Sequence, residues 1–470
     1  MARTPAVVIG APSSGSGKTT IATGLMGALR RGGRRVAPFK VGPDFIDPGY
    51  HALAAGRSGR NLDPVLVGED LIGPLYRHGS AGADIAVVEG VMGLFDGRID
   101  EQFGFPARGS TGQVAQLLGA PVLLVIDVRG QSQTIAAVLH GFSTYLRGVR
   151  IAGVILNRVG SERHEAVLRQ ACETVGIPVL GAVPRHDELS VPSRHLGLVT
   201  ATEHGDAAGD AVAAMTDLIA RHVDLDAVVA LAGSEVPGPV WSPEDAAGVP
   251  VVGRPVVAVA AGKAFTFGYA EYDELLRAAG AEVVAFDPIT ETLPERTAAL
   301  VLPGGFPEQY PEQLSGNVTL RGQIREFAAR GPVHAECGGL TYLMSDLDGH
   351  PMCAVLSGSA TFTPRLTLGY RDAVAAADSA LYTEGQRVTG HEFHRTTVQF
   401  DAPVQSAWIM GRTGEPAASD GAVDAGVHAS YLHTHPAAQP HAIRRFVEHA
   451  ADYHGAVDDA PRVHDAPQVH

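Results

Sequence analysis

The stretch Ala6-Val7-Val8-Ile9-Gly10-Ala11-Pro12-Ser13-Ser14-Gly15-Ser16-Gly17-Lys18-Thr19-Thr20 decides the fold of the first half of this chain. An uninterrupted apolar run of strand length, followed by glycines and serines that lead into Lys-Thr and a helical pattern, is the context a phosphate-binding P-loop requires. The glycines let backbone N–H groups turn inward around phosphate oxygens, and the helix N-terminus adds positive potential. Lys18 supplies a mobile charge and Thr19 a hydroxyl for Mg²⁺. Gly15, Ser16, Gly17, Lys18, Thr19 and Thr20 are therefore the expected phosphate contacts. The standard spacing asks for glycine where this chain has Pro12, so the motif is a variant that keeps its second half.

Outward from this loop, apolar runs alternate with amphipathic segments. Strands are expected at Ala6–Ile9, Arg35–Phe39, Ile85–Glu89, Pro121–Asp127 and Ile151–Asn157, with helices such as Thr19–Arg31 and Thr134–Leu146 between them. Strands that are apolar throughout and separated by helices predict a parallel sheet covered on both faces, with functional loops at the carboxyl ends. Two acidic residues stand at such ends, Glu89 and Asp127, where carboxylates beside a P-loop hold Mg²⁺ directly or through water. The loop Lys40-Val41-Gly42-Pro43-Asp44-Phe45-Ile46-Asp47-Pro48-Gly49-Tyr50-His51 lies on the same rim and is dense in functional residue types.

Periodicity fades after about residue 225. The stretch Gly233–Arg254, with four prolines and four glycines, reads as a linker. A second α/β unit follows, with strands at Val256–Ala260, Glu282–Phe286, Ala299–Leu302 and Pro332–Glu336. After Leu366 shorter, more polar strand-like runs suggest an antiparallel extension. The expected division is 4–232, a linker 233–253, 254–455, and a disordered tail 456–470.

In the second unit, Ala335-Glu336-Cys337-Gly338-Gly339 has the order of a nucleophile elbow, a strand turning sharply into a helix. Small flanking residues suit a strained, tightly packed backbone, and a helix N-terminus is expected to favour thiolate. Upstream, the N–H groups of Gly304 and Gly305 are candidates for an oxyanion hole. Downstream, Ser430-Tyr431-Leu432-His433-Thr434-His435 offers a base for Cys337, with His433 preferred and His435 the competitor. Cys172 and Cys353 have no such setting.

With 470 residues, 45% hydrophobic and 19% charged, the chain is long enough for two globular domains. A net charge of −15 makes nucleic acid an unfavourable partner, and any anionic ligand must be held by local donors. Three widely spaced cysteines without CxxC argue against a disulfide framework or zinc site and fit a reducing cytoplasm. The first apolar run is too short for a signal peptide, and no apolar stretch reaches the ~18 residues of a membrane span.

Pro303-Gly304-Gly305, the Cys337 elbow and Ser-Tyr-x-His433 together resemble a class I glutamine amidotransferase domain, and the first half is similar to dethiobiotin synthetase-type P-loop enzymes. In this order, with the Lys40–Tyr50 loop and Glu89-Gly90-Val91-Met92-Gly93-Leu94-Phe95-Asp96-Gly97, the chain resembles the cobyrinate or hydrogenobyrinate a,c-diamide synthase family from Val7 to about residue 450. The resemblance implies two α/β domains and ATP-dependent amidation of the a and c acetates of a corrin macrocycle. Cys337 would release ammonia from glutamine through a thioester, and MgATP would phosphorylate the acceptor carboxylate. Lys18, Thr19, Glu89 and Asp127 would handle phosphate and metal; Lys40, Asp44, Asp47 and Tyr50 would position the macrocycle. Many class I amidotransferases have a glutamate two residues after the catalytic histidine, where this chain has His435, so no acidic third member is assigned. Cobalt in the substrate and the assembly state, a homodimer among the options, stay open. The competing readings are a cobyric acid synthase-like enzyme, an amidotransferase for cell-wall or nucleotide substrates, and a non-catalytic P-loop switch carrying a degenerate amidotransferase domain.

Overall fold

A computed structural model describes residues 4–99, 107–185, 200–236, 238–412 and 415–458. The chain divides into two compact units, Met1–Ser242 and Pro243–His470.

The first unit is built on strands β1 (Ala6–Gly10), β2 (Val36–Val41), β3 (Arg60–Leu62), β4 (Ile85–Glu89), β5 (Val122–Asp127), β6 (Ile151–Val159) and β7 (Val179–Pro184). They form one sheet in the order β3-β2-β4-β1-β5-β6-β7, with every pairing parallel. β1 and β4 are buried at every residue, the consequence of helices on both faces. The carboxyl ends of β1, β2, β4, β5 and β6 deliver the P-loop, Lys40, Glu89, Asp127 and Asn157 to one rim. Two strands were not foreseeable from apolar runs: Arg60–Leu62 is three residues long, and Val179–Pro184 is interrupted by Gly181.

The expected linker is ordered at both ends. Gly233 exchanges backbone hydrogen bonds with Ala6, and the Trp241 N–H donates to Pro74 O at 3.1 Å. Residues Pro243–Ala247 form a short helix whose Ala247 carbonyl accepts from Arg444 at 3.0 Å.

In the second unit, strands β8 (Val256–Ala260), β9 (Glu282–Phe286), β10 (Thr297–Leu302), β11 (Val333–Glu336), β12 (Asp346–Leu347), β13 (His350–Pro351), β14 (Gly358–Ala375), β15 (Arg387–Phe400), β16 (Trp408–Arg412), β17 (Glu415–Asp420), β18 (Ala422–Asp424), β19 (Val427–Ser430) and β20 (His433–Thr434) form two sheets. One has the order β18-β19-β11-β10-β8-β9 and is parallel except at β18. The other runs β13-β12-β14-β15-β20, with β16 beside β14 and β17 beside β16, and is mostly antiparallel. The long antiparallel pair begins at Gly358 rather than Leu366, with 18 residues in β14 and 14 in β15, while β16 and β17 are short, at 5 and 6 residues. A register shift between Phe362 and Thr367, spanning Pro364, makes one long strand read as two short ones. The last helix, Pro440–Asp458, runs beyond residue 455, and residues 459–470 lie outside the described ones. Among the described residues no helix is long and apolar enough to cross a membrane.

The P-loop helix, Lys18–Arg31, packs closely against helix Asp206–His222. A Cβ on Gly24 would stand 2.4 Å from Ile219 Cγ1 and 2.5 Å from Met215 O, so glycine sits here for contact and not for flexibility. Alanine favours a helix interior by about 1 kcal/mol over glycine, whereas overpacking costs about 1–3 kcal/mol. Gly24→Ala is therefore expected to lower the unfolding midpoint of the first unit in urea. Gly209→Ala, in the partner helix with nothing within 4 Å of the new Cβ, is expected to raise it.

Candidate functional sites

The P-loop is held by β6, two strands away from β1 in the sheet. Asn157 Nδ2 donates to Ser16 O at 2.9 Å, and Arg158 donates to Gly15 O at 3.1 Å. Gly17 has a φ of 97°, and a Cβ there would meet Asn157 Nδ2 at 2.2 Å, so both its backbone and its space demand glycine. Lys18 Nζ donates to Ser13 O at 3.2 Å and to Met92 O at 2.5 Å. Burial, then the charge of Lys40, lowers the Lys18 ammonium to about 8 against the pull of Glu89, Asp47 and Asp96.

Beside the loop lies a buried ion cluster. Lys40 Nζ contacts Asp47 Oδ2 at 2.7 Å and Glu89 Oε1 at 2.9 Å, and Asp44 Oδ2 stands at 3.9 Å. The Thr19 hydroxyl donates to Glu89 Oε1 at 2.7 Å, and His51 Nε2 meets Glu89 Oε2 at 2.6 Å. Burial opposes ionisation of Glu89, but the Lys40 charge and the His51 and Thr19 hydrogen bonds hold its carboxyl well below the usual range. Burial pushes Lys40 towards the neutral amine, yet Asp47, Glu89 and Asp44 raise it above an ordinary lysine. Asp47 is pushed up by burial, by Asp44 and by Glu89, with Lys40 opposing.

The structure thus brings together Thr19, Lys40, Asp44, Asp47 and Glu89. It does not bring Asp127 to them. Asp127 pairs with Arg129 at 2.8 Å and Arg158 at 2.5 Å, because Arg158 follows directly on Asn157, the register partner of Asp127 in the adjacent strand. Tyr50 is fully buried, and burial, then Glu203 and Asp47, raises its hydroxyl to about 12. His51, Asn157 and Arg158 were missed: each acts on the site through a neighbour that only the fold supplies. Among the described residues no group of three or more His, Cys, Asp or Glu side chains is arranged to hold a metal by itself.

In the second unit Cys337 stands between β11 and helix Gly338–Leu343 with φ 51° and ψ −102°, a strained elbow. Its neighbours must be small: a Cβ on Gly339 would lie 2.0 Å from Leu302 O, and one on Gly338 2.8 Å from Pro307 Cδ. The N–H groups of Gly338 and Gly305 point at the sulfur. The helix start does not make a thiolate. Burial, then Glu308, pushes the Cys337 thiol well above its ordinary value, with Glu336 adding to the rise and the two N–H groups opposing it.

The geometry separates the two histidines. His435 Nδ1 accepts the Ala437 N–H at 3.3 Å and its ring lies against Tyr269, with centroids 4.2 Å apart and planes tilted by 35°. His433, wholly buried, lies against the glycine loop that also faces Cys337: a Cβ on Gly304 would be 2.4 Å from His433 Cε1. An acid unforeseen as a site residue, Glu336, has Oε2 3.4 Å from His433 Nδ1.

Comparison with known proteins accounts for both units. Residues 7–199 match the CobQ/CobB/MinD/ParA nucleotide binding domain, and residues 256–440 the CobB/CobQ-like glutamine amidotransferase domain. The hydrogenobyrinate a,c-diamide synthase of Mycobacterium tuberculosis is 67% identical over 450 residues, spanning 96% of this chain and 98% of that protein. The enzyme of the same name from Streptomyces coelicolor is 54% identical, spanning 94% and 97%. A cobyrinate a,c-diamide synthase from Picrophilus torridus is 38% identical over 94% and 98%. With both domains matched and such relatives covered along nearly their whole length, the chain belongs to the hydrogenobyrinate a,c-diamide synthase family.

Proposed function

We propose that this protein amidates the a and c acetate carboxylates of hydrogenobyrinate, using ATP and glutamine, in cobalamin biosynthesis. The observation that carries this is the joint presence, on one chain, of a P-loop unit and a Cys–His elbow unit matched end to end by relatives of that name. The cobalt-bearing analogue cobyrinate is the second reading, supported by the 38% identical relative from Picrophilus torridus. Three free cysteines suit a reducing cytoplasm.

In the amidotransferase unit the thiol is protonated at rest, so His433 takes its proton as sulfur attacks the side-chain carbonyl of glutamine. The oxyanion that forms is held by the N–H groups of Gly305 and Gly338, with Gly304 leaving space for the His433 ring. His433 returns the proton to the departing nitrogen, ammonia leaves, and water cleaves the thioester to glutamate.

In the P-loop unit the acceptor carboxylate takes the γ-phosphoryl of ATP, and ammonia then displaces phosphate from the acyl carbon. Residues Gly15–Thr20 cradle the phosphates, and Lys18 turns from the Ser13 and Met92 carbonyls to the transferring group. The Thr19 hydroxyl with Glu89 and Asp47 offers hard oxygen donors suited to Mg²⁺, which keeps waters and phosphate oxygens among its ligands. When bound, Mg²⁺ neutralises charge on the phosphates. Asp127 serves instead to hold Arg158 beneath the P-loop. Asp44, 23% exposed, is the acidic member of its loop most open to the macrocycle, while Lys40, Asp47 and Tyr50 brace that loop from inside.

Mass spectrometry of reactions with MgATP, glutamine and either hydrogenobyrinic or cobyrinic acid should show two amides gained on the cobalt-free acid. No amide on either acid, with glutaminase activity intact, would exclude the proposed acceptors. Cys337→Ala should abolish glutamine-dependent amidation and leave amidation from ammonium salts. Lys18→Ala should lower amidation from both nitrogen sources by at least ~100-fold, the scale of losing one transition-state donor. Glu89→Gln should raise the Mg²⁺ concentration needed for half-maximal activity, whereas Asp127→Asn should leave it unchanged.

A further inference from the structure

We infer that Glu336, the residue immediately before the nucleophile, is the positioning acid of the glutaminase site, holding His433 so that its other ring nitrogen serves Cys337. The inference rests on the Cys337–His433 reading above and names the third member that this reading leaves blank.

A cysteine–histidine pair works best when a third group orients the imidazole. The usual place for that group, two residues after the histidine, is occupied by His435, which is committed to the Ala437 N–H and the Tyr269 ring. The acid comes instead from the strand that carries the nucleophile. Glu336 ends β11, in register with Ser430 at the end of β19, and the chain returns three residues later as His433. Its Oε2 stands 3.4 Å from His433 Nδ1. The other oxygen is held in place: Oε1 lies 3.4 Å from His334 Nε2, 3.4 Å from the Thr434 N–H and 3.5 Å from the Thr434 hydroxyl. His334 is fixed in turn, its Nδ1 2.6 Å from the Tyr272 hydroxyl. A line therefore runs from Tyr272 through His334 and Glu336 to His433, and ends against Gly304, whose neighbour Gly305 turns its N–H to Cys337.

Its members suit the role. Burial opposes ionisation of Glu336, but His334 and His433 beside it hold its carboxyl well below the usual range, so it is suited to accept an imidazole N–H. Accepting the Nδ1 proton fixes the tautomer in which Nε2 receives the thiol proton. At 3.4 Å, Nδ1 and Oε2 are in ion-pair range but not yet aligned as a hydrogen bond, and catalytic hydrogen bonds are often long or poorly aligned before substrate arrives. Elsewhere around His433 stand His391, its register partner across the β15–β20 ladder, and Phe267, with ring centroids 6.1 Å apart. Neither offers an anion.

The test is glutaminase kinetics on the full-length enzyme, with amidation from ammonium salts measured in parallel. Glu336→Gln keeps the shape and removes the acceptor. It should lower glutaminase kcat by about 10²–10⁴-fold, from the usual worth of general-base catalysis up to the ~10⁴-fold loss that the equivalent change causes in a serine protease triad. The KM for glutamine should stay within about threefold and ammonia-driven amidation should remain near wild type, as expected when only a transition-state function is lost. Glu336→Asp should recover part of the lost kcat. Wild-type kcat in Glu336→Gln overturns the proposal, and so does a parallel fall in ammonia-driven amidation, which marks a structural role. Glutaminase activity surviving in Cys337→Ala or His433→Gln overturns the nucleophile–base reading itself, and this proposal with it. Should Glu336→Gln fail to fold, the wild-type protein still decides. A far-downfield imidazole N–H proton resonance that disappears in His433→Gln supports the bond, and its absence overturns it.

Discussion

Glu89 carries a charge at the end of a strand buried on both faces, and the rim of the first unit is arranged around that fact. An isolated carboxylate there would be expensive. Lys40 from the next strand, the Thr19 hydroxyl and His51 surround it, so the P-loop helix, the β2 loop and β4 converge on one side chain. Removing one partner of such a buried pair costs about 3–5 kcal/mol, because the other is left uncompensated. The cluster is also asymmetric: one ammonium faces Glu89, Asp47 and, more distantly, Asp44. In the function proposed above, these acidic oxygens and the N–H groups of the adjacent loop would hold a cation and an anion side by side.

The second unit solves a different problem on a similar scaffold. Its parallel sheet brings the Gly304–Gly305 loop, the elbow and the segment after β19 to neighbouring strand ends. Close approach is purchased with glycine. Gly304 makes room for His433, Gly305 for the Ala264 carbonyl, and Gly339 for Leu302. The space so freed is filled by functional groups instead of methyls, and for that reason the site tolerates little change in residue size.

Much of this was legible in the chain. Apolar runs of strand length announced β1, β4 and β5, and glycine spacing with Lys18-Thr19 announced the P-loop, because both signals are local. What was hidden depends on register. Asp127 stands on the rim as its strand-end position suggests, but besides the nearby Arg129 it pairs with Arg158 on the neighbouring strand, which no local pattern reveals. Glu336 read only as a spacer in the elbow, since its meeting with His433 follows from the pairing of β11 with β19. The linker composition of 233–253 was visible, whereas its anchoring to Ala6, Pro74 and Arg444 was not.

The protonated state of the Cys337 thiol has a bearing on the lifetime of the protein. Thiolate is the form that peroxides and alkylating agents attack, and damage then climbs from sulfenic to irreversible acids. Cys337 is 3% exposed, and burial with Glu308 keeps its proton in place. Between turnovers the sulfur is thus a poor target for oxidants, and in the mechanism proposed above its reactivity is released only as His433 takes the thiol proton. The same burial that makes a base necessary for catalysis preserves the nucleophile while the enzyme is idle.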